Sequence, residues 1–96
     1  MIKGTTESGF SFEIPEANFN NMEVIDLLRE IQKGEDGEIG EAEMLFAVSG
    51  LADLLLGKKG KKRLYNHLRT ETGQVPIDAV MEEVMNIFKE SQQGNS

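Results

Sequence analysis

No cysteine occurs among the 96 residues of the chain. That absence excludes a disulfide framework, a thiol nucleophile and any cysteine-ligated metal, and it suits a reducing compartment. Long hydrophobic runs are missing too. The most apolar stretch, Met44 to Leu56, is too short for a membrane span and sits beside Glu41, Glu43 and Asp53. The N-terminal MIKGTTESGF lacks the hydrophobic core of a signal peptide. A soluble, cytoplasmic protein is therefore expected. Catalytic signatures are equally scarce. There is no H-E-x-x-H and no G-x-S-x-G, and GKKGKK from Gly57 to Lys62 does not have the spacing of a phosphate loop. The single histidine, His67, has no nucleophile or carboxylate at a motif spacing, so it reads as a partly exposed helical residue. No enzymatic activity and no cofactor are expected.

Positive charge is scarce outside one place. The net charge is −7, yet Lys58, Lys59, Lys61, Lys62, Arg63 and Arg69 hold six of the ten positive charges. The remainder carries four positives against seventeen acids, a net of −13. Such a surface repels phosphate, which argues against nucleic-acid binding. The basic patch of Lys58, Lys59, Lys61, Lys62 and Arg63 suits an acidic partner or the chain's own acidic helices.

What is present is helical periodicity. The length fits one domain with a single modest core. Residues 1–8 are polar and expected to fray, residues 9–90 to form the domain, and residues 91–96 to be a disordered tail. From Gly9 to Pro15 the pattern GFSFEIP alternates, with Phe10, Phe12 and Ile14 on one side, and predicts a short extended segment. A lone strand cannot satisfy its own backbone, so it must pair with another strand, a second copy or a partner.

Four helices are expected after it, giving an all-α domain. The first runs from Asn21 to Lys33, with Asn20 as N-cap and Gly34 as its stop; Val24, Leu27, Leu28 and Ile31 share a face. The second, Glu41 to Leu56, is apolar on most sides and so reads as the central helix, ended by Gly57. It should bury Leu45, Val48, Ala52 and Leu55 against Leu28, Leu68, Val84 and Phe88. The third spans Lys58–Thr70 around Leu64, Tyr65 and Leu68. The fourth, Ile77–Glu90, begins after Pro76 and carries the cleanest stripe: Ile77, Val80, Met81, Val84, Ile87 and Phe88.

The first interhelical loop has a calcium-site flavour. Asp36-Gly37-Glu38-Ile39 with Glu43 matches the back half of an EF-hand loop, with Gln32 and Gly34 at the first and third positions. Gly73-Gln74-Val75 repeats the hint 36 residues later, with Ala79 where the final glutamate belongs. Two helix-loop-helix units of EF-hand-like form are thus expected, Ile39 and Val75 lying in short extended loops. The ligand sets are incomplete, because Gly34 and Ala79 offer no side-chain oxygen, and no metal is expected. A degenerate EF-hand-like adaptor, with weak or no calcium affinity, is the alternative function on this pattern.

As a string, LLLGKKGKKRLYNHLRTETGQVPIDAVMEEVMNIF resembles small proteins encoded among the tail genes of long-tailed phages and prophages of Gram-positive bacteria. These are similar to tail assembly chaperones. The N-terminal GFSFEIPEANFNNMEVIDLLREI fits the same pattern, and the resemblance spans about Gly9 to Phe88. Where the family favours acidic or amide residues after LLLG, this chain has Lys58, Lys59 and Gly60. The resemblance implies a non-enzymatic protein of the bacterial host cytoplasm. It would bind the long, helical, aggregation-prone tape-measure protein and help recruit tail-tube subunits. Its gene would lie just upstream of the tape-measure gene.

On that reading the partner contact is expected at the apolar edge of Phe10, Phe12 and Ile14 with the nearby Ile87 and Phe88. The basic patch is the rival surface, acting by salt-sensitive steering. Met22, Met44, Met81 and Met85 offer adaptable apolar surface, or simply fill the core.

Overall fold

The computed structural model describes residues 1–93. Among them three helices pack with a two-stranded antiparallel sheet, so the expected all-α, four-helix architecture is incorrect. Strand β1 (Ile2–Thr5) pairs with β2 (Ser11–Ile14) in the register Ile2↔Ile14, Lys3↔Glu13, Gly4↔Phe12 and Thr5↔Ser11. The first eight residues, expected to fray, thus supply the partner that the GFSFEIP segment needs. The pairing also disposes of the Phe10–Ile14 edge as a free strand. Gly4 explains how the match is made: a Cβ there would lie 2.6 Å from the Phe12 ring. Only glycine lets that ring lie across the neighbouring strand. Phe12 and Ile14 turn inward and Ser11 and Glu13 outward, as the period-2 pattern requires.

Helix α1 (Met22–Glu35) starts one residue later than expected. Asn21, not Asn20, is the cap, its side chain accepting from the Glu23 N–H at 2.9 Å. The helix also runs through Gly34 instead of stopping there. Gly34 serves another purpose: a Cβ on it would fall 2.5 Å from Met44, so glycine here allows two helices to approach. The left-handed turn that releases the chain sits at Gly37, with φ +76°.

Helix α2 (Glu41–Leu68) consists of two helical limbs broken at Gly57, the expected end of the central helix, and its second limb stops at Leu68 instead of the expected Thr70. At Gly57 φ is +73° and ψ 171°, a combination essentially reserved for glycine. Helical turns resume at once on its far side. The bend is sharp. Lys61 Nζ reaches back 2.7 Å to Ser49 Oγ, whereas in a straight helix those residues would be roughly 18 Å apart along the axis. Breaking the helix frees carbonyls in the preceding turn, and Asn18 Nδ2 donates to the Leu55 carbonyl at 3.0 Å. The N-terminal limb of α2 buries Met44, Ala47, Val48, Leu51, Ala52 and Leu55, and the C-terminal limb buries Leu64. With α1, β2 and α3 around it, the element has neighbours on several sides, which accounts for its apolar composition.

Helix α3 (Ile77–Gln93) packs on α2 and β1 through Val80, Val84 and Ile87. It extends past the expected end at Glu90, covering the first part of the expected tail; residues 94–96 lie outside the described residues. Of the packing expected around the central helix, Val48, Ala52, Leu55 and Val84 are buried. Leu28, Leu68 and Phe88 are only half-buried against the core, and Leu45 is half-buried outside that cluster. No helix among the described residues is long and apolar enough to cross a membrane.

The EF-hand-like arrangement is overturned by the same boundaries. Residues 32–43 would form the calcium loop, but α1 continues to Glu35 and α2 begins at Glu41, leaving only 36–40 outside a helix. Gln32 and Gly34 are therefore helical. Among the described residues no backbone hydrogen bond joins Ile39 to Val75, and the only sheet is the hairpin.

Candidate protein-binding surface

The residues expected to form the contact are mostly interior. Phe10, Phe12, Ile14 and Ile87 are each at most 3% exposed and belong to the core cluster. Phe88 is half-buried, its ring 6.1 Å from that of Phe19. The fold brings all five together, but as the packing between hairpin and helices, not as a face open to a partner. The apolar alternation that suggested an exposed edge is the ordinary signature of a strand facing a core.

The basic patch is at the surface, though its members differ. Arg63 is tied to the hairpin: its guanidinium donates to the Ser11 carbonyl at 3.1 Å and stacks 5.1 Å from the Phe10 ring centre. Lys61 bridges the limbs of α2, donating to Ser49 Oγ and to Asp53 Oδ2 at 3.1 Å, and it lies 5.5 Å from the Tyr65 ring centre. Lys58, Lys59 and Lys62 make no hydrogen bond or ion pair among the described residues. Lys58, Lys61, Lys62 and Arg69 line one cleft together with Asp53 and Tyr65.

Folding brings partners to His67 that the sequence alone does not reveal. Its Nε2 is 3.0 Å from Ser8 Oγ, and Ser8 Oγ donates to Glu83 Oε1 at 2.8 Å. Serine, histidine and glutamate are thus in one chain of hydrogen bonds, but in the wrong order for a nucleophile. Glu83 bonds to Ser8 and not to the imidazole, so no carboxylate orients His67 as in a triad, and the donor at the Ser8–His67 contact follows the ring tautomer. Thr6 Oγ1 also donates to Glu83 Oε1, at 2.7 Å, and accepts from the Phe10 N–H at 3.1 Å. The arrangement pins the hairpin turn to α3. Glu83 is 7% exposed. The sequence carries the signal for it: Glu83 lies three residues after Val80 and four before Ile87, on the buried stripe of α3.

The surface that remains unpartnered is elsewhere. Between the two limbs of α2 and the start of α3 runs a groove of about 210 Å³ lined by Leu45, Val48, Ser49, Tyr65, Val75, Ile77, Val80 and Met81. Its walls are almost wholly apolar. The volume falls below the roughly 300–1,000 Å³ typical of small-molecule sites and suits one or two side chains. Ile77, 59% exposed, stands at its edge. Phe46, 73% exposed, lies on α2 one turn before Ser49. Tyr65 lines both this groove and the basic cleft and stands between them. Met81 lines the groove and Met44 is buried, while Met22 and Met85 are exposed away from it.

A larger concavity, about 740 Å³, lies between the hairpin and the bend of α2. It is the weaker candidate. Its charged walls include the Lys3–Glu13 pair at 3.7 Å and Arg63, already bonded to the hairpin, and only Phe12 and Leu56 supply large apolar side chains. Comparison of the chain with protein-family models, with curated proteins and with solved structures returns no match.

Proposed function

We propose that this chain is a non-enzymatic binding protein of the tail assembly chaperone kind, holding the tape-measure protein and helping to recruit tail-tube protein. The observation that carries the reading is the apolar groove at Leu45, Val48, Tyr65, Ile77, Val80 and Met81, flanked by exposed Ile77 and sharing Tyr65 with a basic cleft. Binding a long helical protein that aggregates alone calls for an apolar groove on an otherwise charged surface, and helix-in-groove recognition uses such walls. The excess of acid outside residues 58–69 keeps such a binder soluble and apart from nucleic acid. The Ser8–His67–Glu83 chain supports a non-catalytic role, since Glu83 bonds to Ser8 and not to the imidazole that a triad carboxylate would orient. The resemblance from Gly9 to Phe88 supplies the identity of the partners.

Co-expression tests this. The tape-measure protein encoded beside the chain should be insoluble alone and recovered in a soluble complex with it. A tape-measure protein that aggregates equally with and without the chain would refute the reading.

A further inference from the structure

Each wall of the groove is short. Leu45, Val48 and Ser49 span one turn of α2, and Ile77, Val80 and Met81 span one turn of α3. One turn of an occupying helix therefore fits between them, presenting two large side chains at i and i+4. The charge of the neighbouring cleft is one-sided. Past Tyr65 stand Lys58 and Lys62, both without an ion-pair partner among the described residues, and beyond them Arg69. Asp53, the one acid of that cleft, is already paired with Lys61.

Resting on the chaperone reading, we propose that this groove recognises an amphipathic helical segment of the tape-measure protein carrying two large apolar residues four apart and a carboxylate about one turn further on. The apolar pair enters between the limbs of α2 and the first turn of α3. The carboxylate meets Lys58 and Lys62. Charge complementarity selects the acid-bearing segments from the many apolar stretches of a long helical partner, and basic segments are turned away.

The rival occupant is a second copy. Helix α1 exposes Met22 (66%) and Ile25 (45%) beside Glu23 and Asp26, a face of similar chemistry. The test must separate the two.

Overlapping peptides a few helical turns long, tiled along the tape-measure protein, are assayed by fluorescence anisotropy against the full chain. Three variants accompany it: Ile77→Glu, the pair Lys58→Glu/Lys62→Glu, and Met85→Ser as control. Ile77 is largely exposed in the first turn of α3, where an acid suits the helix dipole, so the substitution leaves the fold intact. The expected binders carry the two-anchor-plus-acid pattern. Ile77→Glu weakens them at least about tenfold. The lysine reversal weakens them and flattens their salt dependence, while Met85→Ser stays within about twofold. Binding indifferent to Ile77→Glu, or binders without an acid that ignore the lysine reversal, overturns the inference and leaves the chaperone reading standing. So does a chain that keeps the whole tape-measure protein soluble yet binds none of the peptides. Self-association in sedimentation that Ile77→Glu abolishes makes the second copy the occupant and also overturns it. If no peptide binds and the whole tape-measure protein stays insoluble, the chaperone reading itself falls.

Discussion

Glu83 shows how one side chain can be read two ways. On the helical stripe it occupies a core position, and a carboxylate there needs hydrogen bonds to offset its lost hydration. Thr6 and Ser8 supply them, at 2.7 and 2.8 Å, and in doing so they anchor the hairpin turn to α3. Glu83→Ala leaves the buried Thr6 hydroxyl without that acceptor, and should lower stability by about 1.5–3 kcal/mol in urea denaturation. Glu83→Gln, which keeps one acceptor oxygen, should cost less. Equal stability of wild type and Glu83→Ala would mean that the hairpin is held by its apolar face alone. Leu55, 1% exposed beside the bend, should cost about 2–5 kcal/mol on substitution by alanine, read by the same denaturation.

The elements divide by how local their causes are. The stripes of α1 and α3 repeat every three to four residues, so their existence and buried faces are legible in the string. Val24, Ile31, Val80, Val84 and Ile87 are interior as their spacing demands. Helix ends were less legible because glycine has two uses. Gly34 permits close approach to Met44, and the actual turn is made by Gly37. β1 left almost no trace, since IKGT has no apolar alternation and contains a glycine whose purpose, room for Phe12, lies across the sheet. The Phe10–Ile14 segment was visible as a strand, but not its mate, and so it was assigned to the surface. Two substitutions check this account of the glycines. Gly34→Ala drives a methyl into Met44 and should cost about 1–3 kcal/mol. Gly57→Ala has open space around it, so its cost of about 1–3 kcal/mol is purely that of the backbone conformation. Thermal melts of both should fall clearly below wild type; an unshifted Gly57→Ala would show that α2 is not bent there.

For the molecule as a whole, the hairpin, the bend of α2 and the charge distribution act together. The hairpin covers one side of the helices, using up the aromatic residues that looked available for a partner. The bend folds the second limb of α2 back, and with α3 it leaves a narrow apolar groove beside a lysine-lined cleft. That groove was not legible from periodicity. Ile77 and Met81 were placed on the apolar stripe of α3, but their uncovered position depends on where α2 turns. Mapping the groove is therefore the decisive measurement. Backbone amide shifts of the labelled chain, followed as a soluble tape-measure fragment is added, should move first at Leu45, Val48, Ser49, Tyr65, Val75, Ile77, Val80 and Met81. Shifts that instead gather on Lys3, Thr5, Ser11 and Glu13 across the outer face of the hairpin, with the groove unmoved, would contradict the account.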